Sequence, residues 1–285
     1  MALTTIIKDS FNRLLGAFNL KLETLTKEKQ IRNHVLELSR NHHFDQPVFS
    51  LLPCFENDNF RPIVENLALY QDRIEALHLA STNQVGFTLN NEYYTTPDAE
   101  VLYTIIRTFQ PERFVEVGSG NSTKICRQAI LDGKLNTKIV SIDPCPRTEI
   151  DRLADEVHRV RVETLKDTTL FDLKAGDILF VDSSHDISVG NDVIFLLLKI
   201  MPQLPPGVLV HIHDIFLPYD YPEDWVVGEG RRWSEQYLLQ ALLEGNQSWE
   251  LIWAGHFLQQ TQTGFRQWFP EVGNHKAQSL WLRRI

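Results

Sequence analysis

Three cysteines in 285 residues, Cys54, Cys126 and Cys145, are too few and odd in number for a disulfide framework, and no two stand at C-x-x-C spacing. That excludes a stapled secreted scaffold and a thiolate zinc cluster, so reduced thiols in a cytoplasmic protein are expected. Cationic residues are in deficit: 28 Lys and Arg face 37 Asp and Glu, a formal net charge of −9. No dense Lys/Arg stripe is present, which argues against nucleic acid as a partner. Long apolar runs are missing. One of the longest, Val193 to Leu198, falls far short of the roughly 20 residues that span a bilayer. Met1 to Gln30 lacks the apolar stretch and small-residue cleavage site of a secretory leader, so stable membrane insertion is not expected. With 43% hydrophobic and 23% charged residues, the chain has the composition of an ordinary folded protein.

What is present falls into two parts. In residues 1–95, Leu3, Ile6, Ile7, Phe11, Leu14, Leu15 and Phe18 recur at helical spacing. This amphipathic helix would pack on its own domain or on a second subunit, which allows a homodimer; a membrane-surface anchor has only Lys8 and Arg13 in support. Pro47, Pro53 and Pro62 punctuate a loop, and a helical pattern resumes over 62–80. Residues 1–95 therefore read as an N-terminal helical extension. Residues 96–285 alternate between strand and helix. Strands are expected at 113–117, 138–142, 159–162, 177–181 and 208–212, separated by helices, which implies right-handed crossovers and a parallel sheet. Two further alternating stretches, at 249–253 and 279–283, have no clear crossover helix between them and suit an antiparallel closing pair.

The first strand runs into Gly118-Ser-Gly120, where glycine lets backbone approach a ligand closely. A dinucleotide fingerprint would place a third glycine at position 123, which is Thr. Instead an acid, Glu116, stands two residues before the first glycine. That would oppose a pyrophosphate but suits a cationic ligand. Asp143 ends the second strand, where a carboxylate can accept hydrogen bonds from ribose hydroxyls. Together the two acids match a nucleoside with a cationic tail.

These segments carry a family resemblance. FVEVGSGNST at 114–123 resembles motif I of the class I S-adenosylmethionine-dependent methyltransferases, and SIDP at 141–144 resembles their second motif. VDSSH at 181–185 and HIHDIF at 211–216 resemble their fourth and fifth strand ends. The resemblance covers roughly residues 97–285. It implies an α/β, Rossmann-like seven-stranded sheet with an antiparallel last strand, and S-adenosylmethionine as the cofactor. Within the class, D-x-x-H followed by H-D is similar to a small-molecule group related to macrolide-sugar O-methyltransferases and cephalosporin hydroxylase-like proteins. The resemblance places Glu116 by the methionine ammonium, directly or through water. Gly118 and Gly120 let backbone pass the methionine part, and Ser119, Asn121 and Ser122 add hydrogen bonds. Asp143 holds the ribose, and Asp182 and Ser183 stand near the reacting end. The activity implied is O-methylation of a small metabolite, a sugar or a natural-product intermediate. The rivals are a same-fold enzyme with hydroxylase-like chemistry and a non-catalytic nucleoside-binding partner protein.

Asp182, His185, His213 and Asp214 all follow strand C-termini, where open α/β sheets place ligands. Two functional readings stand open. His185 or His213, with Asp214, supplies a general base for an acceptor hydroxyl. Alternatively Asp182, His213 and Asp214 bind Mg²⁺, although His213 stands where metal-using relatives carry an acid. The bland reading is a helix cap at His185 and a loop-ordering Asp214. His211 is expected to be structural, pointing to the face opposite Ile212. The stretch 216–233 is rich in proline and aromatics and follows the active strand end, which suits a substrate lid. Tyr219, Tyr221, Trp225, Arg231 and Arg232 are its candidate acceptor contacts. Phe257, Phe265, Trp268 and Phe269 are expected to close the other side.

Overall fold

The computed structural model describes residues 2–78 and 85–285, leaving out the side chains of 2–7 and 78. Its contacts form two compact units: Met1–Gln46 with Pro222–Arg231, and Pro47–Tyr221 with Arg232–Ile285. The first unit contains helices α1 (Ala2–Gly16) and α2 (Thr26–Arg40) and a π-helical turn, Asp224–Gly228. Of the apolar stripe on α1, the side chains of Leu3, Ile6 and Ile7 lie outside the described residues. Phe11, Leu14 and Phe18, the last just beyond the helix, are exposed.

The second unit is built on one sheet of seven strands. They are β1 (Arg113–Val117), β2 (Lys138–Ile142), β3 (Glu156–His158), β4 (Ile178–Val181), β5 (Leu209–Ile212), β6 (Trp249–Ala254) and β7 (Leu280–Arg284). Their order is β3-β2-β1-β4-β5-β7-β6. Neighbours from β3 to β5 pair in parallel, and β7 runs antiparallel to both β5 and β6. This is the Rossmann-like α/β arrangement with its antiparallel last strand. Central strands are apolar at successive positions because both faces are covered. Phe114, Ile178 and Phe180 pack with α5 (Asp98–Phe109) and α6 (Asn121–Gly133). Val115, Leu179, Val181 and Val210 pack on the other face with α7 (Asp192–Ile194) and its π- and 3-10-helical continuation to Gln203, and with α8 (Glu235–Leu243).

Two expectations shift. The third strand lies at Glu156–His158, not 159–162, because 156–158 are the residues in register with Val140–Ile142. Val160 is exposed, and Val162 opens a 3-10 turn. The helix expected over 62–80 divides into α3 (Arg61–Leu69) and α4 (Gln71–His78), separated by Tyr70. The compact units part at Gln46/Pro47. Ile63, Leu67, Ile74 and Leu77 are buried in the same apolar cluster as α5.

His211 sits inside this core. Its ring stacks on Phe180 with centroids 4.1 Å apart and an interplanar angle of 12°. Neither ring nitrogen has a hydrogen-bond partner among the described residues. Burial holds its pKa well below the ordinary 6.5. The folded state thus keeps this imidazole neutral, while the unfolded chain protonates it as pH falls below about 6.5. The unfolded state then binds more protons, so stability falls with acidification. His211→Phe should keep the stacking and remove that loss. Between about pH 6.5 and 5.5 the variant should lose on the order of 1 kcal/mol less unfolding free energy than the wild type. His256, pushed down to about 4 chiefly by burial, contributes its share to both. Parallel losses in denaturant titrations at the two pH values would reject this account.

Candidate active site

Backbone register sets the geometry. Val117 pairs with Ile142 on one side and Val181 on the other, so Gly118, Asp143 and Asp182 emerge together. The ladder continues one step: Gly118 N–H donates to Ile142 C=O at 3.1 Å, and Asp182 N–H to Val117 C=O at 2.9 Å. At these tips opens a cavity of about 810 Å³. Gly118 has φ +85°, and a Cβ on it would lie 1.7 Å from the Asp182 carbonyl oxygen. No other residue fits there.

Seven of the nine residues expected to hold a cofactor, from Gly118 to Ser122 together with Asp143 and Asp182, line this cavity, as does the eighth, Ser183. Asp143 Oδ2 accepts the Ser119 N–H at 2.8 Å and Oδ1 accepts the Cys145 N–H at 2.7 Å. A carboxylate oxygen has two acceptor sites, so each retains one for a hydroxyl. Ser119 Oγ is paired with Ser141 Oγ. The Ser183 hydroxyl is buried without a partner among the described residues. Glu116, the ninth, does not line the cavity. It is fully buried beneath the glycine turn, where Oε1 accepts from Thr123 Oγ1 at 2.6 Å and Oε2 from Ser122 Oγ at 3.4 Å. Thr123 Oγ1 in turn accepts the Gly120 N–H at 3.1 Å. The threonine that breaks the dinucleotide fingerprint thus links the turn to the acid below. Burial pushes the Glu116 pKa up to about 8, and Ser122, which lines the cavity, holds one of its oxygens.

The cavity has walls that sequence reasoning missed. Asn91, Tyr93 and Tyr94 cover one side. Asn91 Oδ1 accepts N–H bonds from Tyr93 and Tyr94 and also the side-chain amide of Asn121 at 2.8 Å, which ties this loop to the start of α6. The signal was the Asn-Asn pair before two tyrosines, a side-chain-stabilised turn. Tyr94 is buried, its ring 5.0 Å from that of His213.

Beside the cavity lies a buried charged cluster, and Asp182 belongs to both. His185 Nε2 is 3.2 Å from Asp182 Oδ1 and 3.3 Å from Asp214 Oδ2, and its Nδ1 is 3.0 Å from Glu235 Oε2. Its ring lies against Trp233 at 4.3 Å. Both His185 and Asp214 adopt left-handed backbone, φ +61° and +60°, which is uncommon for residues with a Cβ and concentrates at functional sites. Glu235 was not foreseen. The N–H groups of Ser234 and Glu235 donate to the His185 carbonyl at 2.9 and 3.2 Å, so the start of α8 delivers this carboxylate. Burial alone would drive the His185 pKa down, but Asp182, Asp214 and Glu235 outweigh it and hold it well above 6.5. Burial likewise disfavours ionised Asp182, yet His213 and His185 hold its carboxyl well below the usual range. Glu235 is shifted upward by burial.

His213 is buried, with Nδ1 unpartnered among the described residues and Nε2 4.0 Å from Asp214 Oδ1. Among the described residues, the group whose ligand atoms converge within 4.8 Å is Asp182, His185 and Asp214, with His185 in place of the expected His213. That donor set does not fit Mg²⁺, which needs oxygens in near-octahedral array. Its third member is an imidazole with both nitrogens held by carboxylates. Neither Tyr219 nor Tyr221, the first two substrate candidates, lines the cavity. Tyr219 packs on His256 at 5.2 Å, and the buried Tyr221 accepts the Gln236 N–H at 3.2 Å. Trp225 and Arg231 belong to the other compact unit, where the guanidinium lies 4.1 Å from the indole centre. Arg232 is exposed. Phe265 and Phe269 pack with Trp253 in the core and form no rim.

Residues 115–215 match a family model described as a methyltransferase domain. No curated protein matches. Among solved structures, the methyltransferase PaMTH1 of Podospora anserina, bound to SAH, is 15% identical, with 93% of this chain and 99% of that chain covered and a TM-score of 0.41. The O-methyltransferase TomG of Streptomyces achromogenes, in complex with SAM, is 14% identical over 78% and 89%, with a TM-score of 0.39. An O-methyltransferase of Bacillus cereus, in complex with SAH, is 11% identical over 78% and 90%, also at 0.39.

Two variants test the cavity by calorimetry with S-adenosylhomocysteine. Asp143→Ala should weaken binding by about tenfold or more, the worth of a charged hydrogen bond; unchanged affinity rejects the ribose assignment. Gly118→Ala should abolish binding or lower the melting temperature, because β1 and β4 must part to admit the methyl group.

Proposed function

We propose that this chain, a class I S-adenosylmethionine-dependent methyltransferase, transfers the methyl group to a hydroxyl oxygen of a small metabolite. The residues present fit the cofactor. Gly118 permits the close approach of the β1 and β4 tips from which the cavity opens, Asp143 keeps acceptor capacity on both oxygens, and the Ser183 hydroxyl has no partner among the described residues. When bound, S-adenosylmethionine supplies an electrophilic methyl on a positively charged sulfur.

The observation that carries the reading is Asp182, which lines the cavity and is also held by the His185 imidazolium. The cluster binds its proton too tightly for His185 to serve as the free base. Asp182 is the better candidate. As a hydroxyl oxygen gains a carbon bond its proton becomes strongly acidic, so even a carboxylate held below its usual pKa can accept it. His185 is a positioning residue: with Asp214 and Glu235 behind it, it keeps Asp182 ionised and fixed in direction. The carboxylates around one imidazolium also favour positive charge nearby. Glu116, Ser122 and Thr123 hold the glycine turn, and Tyr94 excludes water from the side facing His213.

Purified protein with methyl-labelled cofactor and a panel of hydroxylated metabolites should yield a labelled ether. Asp182→Asn should lower kcat by about 100-fold or more, with a much smaller change in cofactor affinity. His185→Gln should lower kcat and move the acid limb of the turnover profile to higher pH, because Asp182 loses the cation that keeps it ionised. Label appearing only on nitrogen or carbon, or wild-type turnover by Asp182→Asn, would sink the reading. Removing divalent ions with a chelator should leave the rate unchanged, and a proportionate fall would restore a metal at Asp182, His185 and Asp214.

A further inference from the structure

A second cavity, about 320 Å³, shares no lining residue with the one at the strand tips. Its walls come from α3 (Val64, Leu67, Ala68), α4 (Ile74) and the segment holding Trp268 and Pro270. Acids complete it: Glu100 inside, with Glu75 and Glu271 exposed. No Lys, Arg or His is among the described residues that line it.

Glu100 is the anomaly. It lies in the first turn of α5 and is 4% exposed, yet its Oε2 has no hydrogen-bond partner among the described residues. Asp98, two residues earlier and equally buried, accepts N–H bonds from Gln278 and Ser279. The Thr96 hydroxyl and the Glu100 backbone N–H lie close to the carboxyl, but a buried carboxyl oxygen left without a partner is costly and calls for an explanation. Burial pushes the Glu100 pKa up to about 7, so an ionised population persists near neutrality. Glu75 already accepts the Gln71 amide at 2.9 Å. Opposite these acids the wall is apolar, and Trp268 contributes an aromatic ring, half-buried beside Phe60 and Phe265.

We propose that this cavity binds a small organic amine, its ammonium on Glu100 and its apolar body among Leu67, Ile74 and Trp268. Each feature selects for that class. Three carboxylates repel an anion. A metal ion would need several converging oxygens, whereas one carboxylate is buried here among hydrocarbon. A neutral alcohol would satisfy Oε2 but leave the negative field uncompensated. An ammonium answers both, with a charge-assisted hydrogen bond to Glu100 and attraction to an indole face. The methyltransferase reading makes no use of this cavity.

The test is calorimetric titration of the full-length protein with 2-phenylethylamine, tryptamine and hexylamine, each with and without S-adenosylhomocysteine. At least one amine should bind saturably in both conditions. The matched alcohol, 2-phenylethanol, should bind at least about tenfold more weakly, and Glu100→Gln should weaken the amine by about tenfold or more. Ala68→Trp, at an exposed position on the cavity wall, should block binding without touching Glu100, which covers the case in which Glu100→Gln does not fold. The proposal is overturned by no saturable binding of any of the three amines, by equal affinity for amine and alcohol, or by full affinity in Ala68→Trp.

Discussion

The backbone of β1 meets the backbone of β4 where Gly118 passes the Asp182 carbonyl with no space for a side chain. That contact exists because Val117 and Val181 are register partners in a parallel pair, so the residues after them face each other. It joins two regions with different chemistry. On one side is a cavity of hydroxyls, backbone amides and the Asp143 carboxylate. On the other is a buried cage of carboxylates around one imidazolium. Asp182 belongs to both, and the lack of a Cβ at position 118 allows that double membership.

The cage is held by strain and charge together. His185 and Asp214 occupy left-handed backbone, a conformation that costs free energy and persists only where surroundings over-determine it. Here the surroundings are Glu235, delivered from α8 and fastened through the His185 carbonyl, and Trp233 against the ring. A histidine so placed does not titrate near neutrality, and its two nitrogens are both committed. Its effect passes through the carboxylate it holds. The same charges account for the poor match to a hard metal ion, since the nitrogen lies where an oxygen would be needed.

Glu116 and Glu100 show how burial gives similar groups different uses. Both are carboxyls pushed upward by loss of water. Glu116 is satisfied by Thr123 and Ser122 and braces a turn. Glu100 has an oxygen with no donor among the described residues and a cavity beside it.

Local pattern carried the strands. Four of the five parallel strands were legible to within a residue, because buried parallel strands are continuous apolar runs punctuated by glycine or acid. The third strand was not, since Glu156-Val-His158 at the sheet edge alternates no better than Arg159-Val-Arg-Val162 beside it. Of the site, the sequence by itself determined the glycine turn, Asp143 and Asp182, each tied to a strand end that periodicity locates. Tertiary structure alone decided that Glu116 lies under the turn, that Glu235 and not His213 completes the cage around His185, and that Trp225 and Arg231 fall in a separate unit. The physical reason is range. Strand ends follow from neighbours in the chain, whereas which carboxylate meets which imidazole depends on contacts such as His185 with Glu235, 50 residues apart, that no local spacing encodes.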